Sequence, residues 1–151
     1  MAAKLKEDAA RERGCLLLPI DVVVAEEISP QAKVDTVSVE NISPRVRIVD
    51  IGPQTIRAFG RVLQESKTVF WNGPMGIYEI PQFSKGTQDM AELIAAIDAT
   101  TVIGGGSTAE IVTKSGLAHK MTFVSTGGGA SLKFLAGRVL PGVEALLNKT
   151  S

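Results

Sequence analysis

Lys120-Met121-Thr122-Phe123-Val124-Ser125-Thr126-Gly127-Gly128-Gly129-Ala130-Ser131-Leu132-Lys133-Phe134-Leu135 is the stretch that decides the fold. Residues 120–124 are short and apolar enough for a buried strand. Residues 132–135 suit an amphipathic helix with Ala130 and Ser131 in its first turn. Strand, glycine run, helix is the context in which a glycine run acquires chemistry. Lacking side chains, Gly127 to Gly129 let a ligand approach the backbone closely. A helix start leaves its first amides unpaired at the positive end of the helix dipole. An anion, most often a phosphate, is the natural occupant; a plain tight turn is the alternative.

The same rhythm recurs upstream. Arg47 to Ile51 is strand-like, and Pro53 takes the first position of a helix that carries Ile56, Phe59, Val62 and Leu63 through Glu65. Thr68-Val69-Phe70-Trp71 is a buried strand ended by the loop Asn72-Gly73-Pro74-Met75-Gly76. Ser84 to Ile97 forms a second long helix with Met90, Leu93, Ile94 and Ile97 on one face. Thr100 to Ile103 is a strand closed by Gly104-Gly105-Gly106, and Ser107 or Thr108 opens a helix through Lys114 that Gly116 ends. Pro141 precedes a last helix over 142–148. This alternation from residue 47 onward predicts an α/β fold: a doubly wound, mostly parallel sheet with helices on both faces, a Rossmann-like three-layer α/β/α arrangement. Ligands in such sheets bind beyond the carboxyl ends of the strands. There the loops 72–76, 104–106 and 127–129 should emerge along one edge.

Earlier in the chain, residues 2–13 read as a helix that Gly14 ends as a C-cap. Leu16 to Pro19, Asp21 to Ala25 and Thr36 to Val39 read as strands, with a loop at 28–33 and a break at Ser43-Pro44. Val22-Val23-Val24 lacks alternation, which suggests burial on both faces, as in a parallel sheet.

The 151 residues suit one domain with one core. Hydrophobic residues at 44% against charged residues at 21% place the chain among folded proteins. Lys and Arg number 16, as do Asp and Glu, and no basic run occurs, so nucleic-acid binding has no electrostatic footprint. Cys15 is the only cysteine, which rules out an internal disulfide and fits a reducing compartment. Beside Leu16-Leu17-Leu18 it reads as a core residue. With His119 the only histidine, no His/Cys metal cluster can form, and no metal ligands are assigned. The start is too charged for a signal peptide, and no apolar run reaches membrane-spanning length. The expectation is a cytoplasmic protein with no membrane partner.

Each candidate residue has two readings. Ser107 is a helix N-cap, or with Thr108 it offers hydroxyls to a phosphate or a metal-bound water. Asn72 belongs to a turn, or its amide donates to a phosphate oxygen while Pro74 and Met75 supply an apolar surface. Glu79 is a solvated carboxylate or an acceptor for ribose hydroxyls. Trp71 and Phe70 read as core, His119 as exposed, and Asp50 as a capping or turn residue. No Gly-x-x-x-x-Gly-Lys-Ser/Thr stretch occurs, and no Gly-x-Gly-x-x-Gly follows the first strand, so both familiar nucleotide signatures are missing.

Taken together, Val69-Phe70-Trp71-Asn72-Gly73-Pro74-Met75-Gly76-Ile77-Tyr78-Glu79, Ile103-Gly104-Gly105-Gly106 and Ser125-Thr126-Gly127-Gly128-Gly129-Ala130-Ser131 resemble, in the same order, the loops of phosphoglycerate kinase. Leu18 to Ala25, Asp50-Ile51-Gly52-Pro53, Phe83 with Lys85-Gly86-Thr87, and Leu140 to Val143 add to the likeness, which covers essentially the whole chain. The resemblance implies reversible phosphoryl transfer between the acyl phosphate of 1,3-bisphosphoglycerate and MgADP, giving 3-phosphoglycerate and MgATP, by two α/β domains that close about a hinge. It is limited to the later part of the C-terminal, nucleotide-binding domain, hence a partial domain.

The cofactors implied are ATP or ADP, with Mg2+ brought by the nucleotide. By the same resemblance, Asn72 faces the phosphates, with Gly73 beside it. Pro74 lines the pocket, and Glu79 binds the ribose. Gly104, Gly105 and Gly106 form the floor, with Ser107 and Thr108 next to it. Gly127, Gly128 and Gly129 present amides to the phosphoryl group in flight, which suits a reaction governed by positioning and charge stabilisation.

Two departures stand out. The family pattern places an aspartate where Ser107 stands and a histidine where Phe123 stands. The substrate-binding arginines, the phosphate-binding lysines and the adenine wall belong to sequence outside this chain. Three functional readings follow. In the first, the chain is part of a kinase, weak or inactive alone, and engages 3-phosphoglycerate only with the N-terminal domain supplied. In the second, it is a non-catalytic nucleotide- or phosphate-binding remnant. In the third, it is a self-associating module.

Overall fold

The computed structural model describes residues 2–11 and 14–147. Helix α1 (Ala2–Arg11) leads the chain, so the expected helix residues 12 and 13 lie outside the described residues. The junction at which Gly14 is expected to cap the helix lies outside the described residues with them. The expected strand Leu16 to Pro19 is irregular backbone, with Leu16, Leu17 and Leu18 each exposed by 43% or more. Cys15 is exposed rather than a core residue. A run of leucines reads as strand by composition, but no neighbouring strand pairs with it here.

The described residues form two three-stranded sheets. In the first, β1 (Asp21–Ala25) lies between β2 (Val34–Ser38) and β3 (Arg47–Ile51), antiparallel to both. In the second, β4 (Thr68–Asn72), β5 (Thr100–Gly104) and β6 (Phe123–Ser125) run parallel in sequence order. Parallel neighbours need long crossovers. Helices α3 (Lys85–Ala96) and α4 (Gly106–Lys114) supply them, while α2 (Pro53–Glu65) links the two sheets. The expected parallel layer therefore begins at residue 68, not 47. β3 matched the strand, helix, strand rhythm but is claimed by its antiparallel neighbour β1. The unalternating Val22-Val23-Val24 likewise belongs to an antiparallel central strand, with Val22 and Val24 buried and Val23 half-buried.

Burial follows the period-two geometry of strands. Val69 and Trp71 of β4 and Ile103 of β5 pack with Met90, Ala91 and Ile94 of α3, Val112 of α4 and Met121. A smaller cluster holds Ala25, Ala32, Val49 and Phe83 under the antiparallel sheet. On the other face of the parallel sheet, Phe70, Val102 and Phe123 border a groove of about 460 Å³ shared with α5 (Gly128–Leu135) and Leu140. That face is only partly covered, and Phe123 and Phe134 are 60% and 69% exposed. The three-layer arrangement is present, with its third layer reduced to α5 among the described residues. Helix α6 (Pro141–Leu147) closes the described chain.

Candidate functional site

The parallel register brings Asn72, Gly104 and Ser125 level with one another at the carboxyl ends of β4, β5 and β6. Their loops are fastened together. The Gly105 amide donates to the Ser125 carbonyl at 3.1 Å, and the Gly73 amide donates to the Thr108 hydroxyl oxygen at 2.8 Å. The glycines make this approach possible. A Cβ on Gly128 would lie 2.6 Å from the Gly105 Cα and 2.9 Å from its nitrogen, and a Cβ on Gly104 would lie 2.9 Å from the Asn72 side-chain nitrogen. At Gly128 the obstacle is backbone, which could not yield; at Gly104 the Phe70 and Asn72 side chains would have to move. Gly105 also sits at φ +96°, a conformation that L side chains rarely adopt.

One rim thus gathers Asn72, Gly73, Gly104, Gly105, Gly106, Ser107, Thr108, Gly127, Gly128 and Gly129. Added Cβ atoms on Gly106 or Gly129 would meet nothing within 4 Å, so this side of the rim is open. Helix α4 starts behind Gly105 and α5 behind Gly127, each without a side-chain cap. Their first amides therefore stand at the rim with the positive ends of two helix dipoles. Ser107 is exposed; Thr108 is 1% exposed, its hydroxyl used to join the loops.

Glu79 is placed differently. It is exposed and lines a groove of about 400 Å³ with Tyr78, Thr87, Glu110 and Lys114. Lys114, hydrogen-bonded to Glu110, holds that carboxyl below its ordinary pKa, and Glu110 in turn raises that of Lys114. Pro74 is half-buried in the loop between rim and groove. That loop is braced from beneath by Thr87, whose hydroxyl oxygen accepts from the amides of Met75 (3.0 Å) and Gly76 (3.2 Å). Thr87 is fully buried, and the sequence reading gave it no role. Its signal was its place in Lys85-Gly86-Thr87, two residues into a helix facing a proline loop.

Two buried carboxylates support the scaffold. Asp21 accepts from the amides of Gln54 (3.0 Å) and Thr55 (2.7 Å) and from the Thr55 hydroxyl (2.7 Å), capping α2 across the chain. Burial pushes its pKa up, but these donors and Arg57 outweigh burial and hold it below the usual value. Asp50 accepts from Gly86 N at 2.6 Å and Ile51 N at 2.8 Å, so the expected capping residue caps α3 rather than the adjacent helix. Burial dominates there and raises its pKa. Trp71 is core and His119 is exposed, as expected. No cluster of three or more His, Cys, Asp or Glu side chains that could hold a metal occurs among the described residues. No described helix is long and apolar enough to cross a membrane.

The family model described as Phosphoglycerate kinase matches residues 1–138. The chain belongs to the phosphoglycerate kinase family. It is 50% identical to the phosphoglycerate kinase of Pelotomaculum thermopropionicum over 149 residues, 99% of this chain and 38% of that protein. With the Clostridioides difficile phosphoglycerate kinase it shares 48% identity over 97% of this chain and 37% of the relative. Among solved structures, phosphoglycerate kinase from Coxiella burnetii superposes with a TM-score of 0.89 at 38% identity, covering 95% of this chain and 37% of that one. The Pyrococcus horikoshii enzyme superposes with a TM-score of 0.77 at 28% identity. The chain thus spans well under half the length of the phosphoglycerate kinases it matches.

Proposed function

We propose that this chain is the nucleotide-holding C-terminal part of a phosphoglycerate kinase, and that its rim takes the phosphate tail of ATP or ADP. The observation that carries this is the level register of Asn72, Gly104 and Ser125, with Gly105 packed against Gly128. In this reading Asn72 donates its amide to a phosphate oxygen. The glycine loop 104–106 lies under the phosphates, with Gly73, Ser107 and Thr108 around it. Gly127, Gly128 and Gly129 present the α5 amides to the transferred group, whose charge is spread over its equatorial oxygens in the transition state. Pro74 borders the nucleotide, and Glu79 accepts from the ribose. Supplied with the remaining part of the enzyme, which would hold 3-phosphoglycerate, the assembly would transfer a phosphoryl group between that acid and the nucleotide; in the cytoplasm this is a glycolytic step.

Titration calorimetry with ADP tests the nucleotide reading, with saturable binding as the expected result. Heats no larger than dilution would remove it. A coupled assay with 3-phosphoglycerate and ATP should show little turnover for this chain alone. Family-level turnover would show that no other part is needed.

A second reading, self-association, rests on the open face of the parallel sheet, where Phe123, Phe134 and Leu135 are all at least 58% exposed. Exposed apolar surface of this kind favours association. Sedimentation should show species larger than a monomer as concentration rises; a monomer throughout would exclude it.

A further inference from the structure

The family brings magnesium with its nucleotide, and the donors at this rim do not fit that ion. Magnesium asks for hard oxygen ligands in near-octahedral array and is ordinarily held by one or two carboxylates together with the phosphates. The rim offers backbone amides, the Asn72 side chain and the exposed Ser107 hydroxyl. From residue 99 to residue 143 the only acidic residue is Glu110, which is ion-paired with Lys114 at the next turn of α4.

Acidic groups on the adjoining elements are committed elsewhere. Both oxygens of Asp50 accept from amides. Asp89 is paired with Lys85 and, with Glu92, lines the groove against α2. Asp98 precedes β5, at the opposite edge of the sheet. Glu79 sits in the groove beside Lys114.

We propose that this rim takes the bare nucleotide at least as well as its magnesium complex, with Ser107 as the residue that sets this. The inference rests on the nucleotide reading above and names the ionic form bound. The reason is electrostatic. Two helix starts and a row of amides favour negative charge, and the uncomplexed polyphosphate carries more of it than the magnesium complex. A carboxylate at position 107 would repel the bare phosphates and attract the metal-bound ones; a hydroxyl does neither. Ser107 lies in the first turn of α4, where an acidic side chain is well tolerated.

Calorimetry with ADP in EDTA and with ADP in excess magnesium decides the matter, on the chain and on S107D and S107N, with circular dichroism confirming each fold. For the chain, the two affinities should agree within about threefold, or favour bare ADP. S107D should weaken bare ADP and produce a preference of about fivefold or more for the magnesium complex, while S107N, carrying no charge, should not. A marked magnesium preference in the chain itself overturns the inference and leaves the nucleotide reading standing. So does an S107D variant indifferent to the metal. Binding of neither form removes the nucleotide reading, and the inference with it.

Discussion

The two sheets treat helix starts in opposite ways. Around the antiparallel sheet, α2 and α3 begin against buried carboxylates, Asp21 and Asp50, that accept from their first amides. Around the parallel sheet, α4 and α5 begin behind Gly105 and Gly127 with no side-chain cap. Every helix leaves the same unpaired groups at its start. One region satisfies them internally and gains rigidity. The other leaves them together at an open rim, free to donate to solvent or to an anion. The candidate site is thus the half of the molecule whose local bonding is least complete.

The largest effect should come from filling the contact between the two open starts. Gly128→Ala places a methyl group 2.6 Å from the Gly105 Cα, a backbone atom that cannot swing away. Overpacking of this kind costs about 1–3 kcal/mol, and ADP affinity should fall with it. Gly129→Ala meets nothing within 4 Å and should leave stability nearly unchanged. Thermal melts and calorimetry on the pair compare them directly; equal behaviour would mean that the two loops are not in contact in solution.

Next in size are the internal caps. Asp21→Asn weakens a carboxylate that accepts three hydrogen bonds, and should cost about 1–3 kcal/mol at neutral pH. Because its folded pKa lies below the ordinary value, Asp21 stabilises the fold above the unfolded pKa, and that support is lost as pH falls through the folded one. The deficit of the variant should therefore shrink in acid. Asp50 has the opposite sign. Its folded pKa is raised, so its contribution is greatest below the unfolded value and is lost as pH rises through the folded one. Asp50→Asn should thus compare more favourably with the parent at neutral pH than in acid. Urea unfolding across the acid range reads both, and parallel trends in the two variants would show that the caps are not distinct.

Smallest is the surface pair Lys85–Asp89, at 3.0 Å on α3 with the lysine side chain 77% exposed. Lys85→Ala should change stability by about 0.5 kcal/mol or less, since exposed pairs are screened. A larger loss in a chemical melt would mean that the α3 start depends on more than Asp50.

The parallel half was legible because its signals are local. Ile103-Gly104-Gly105-Gly106 and Ser125-Thr126-Gly127-Gly128 each mark a strand end and a helix start within a few residues, and Asn72-Gly73-Pro74 marks the end of β4. The antiparallel half was legible as strands but not as a sheet. β3 carries the same apolar pattern whether it pairs with β1 or with β4, and pairing is a long-range choice. Leu16-Leu17-Leu18 misled for a related reason: apolar composition marks a strand only where a partner edge exists. The Asp21 contact could not be read at all, and for Thr87 only its place in Lys85-Gly86-Thr87 gave a signal, not its partners. Asp21 meets Thr55 across 34 residues and Thr87 meets Met75 across 12, spans over which composition carries no geometry.

Alone, the order of residues determined the strand ends, the glycine loops that follow them and the helix starts behind those loops, because each depends on neighbours a few positions away. Tertiary structure decided which strands share a sheet, which helix starts receive a carboxylate and which stay open. Those outcomes depend on groups meeting across dozens of residues, and the packed backbone alone brings Gly128 against Gly105.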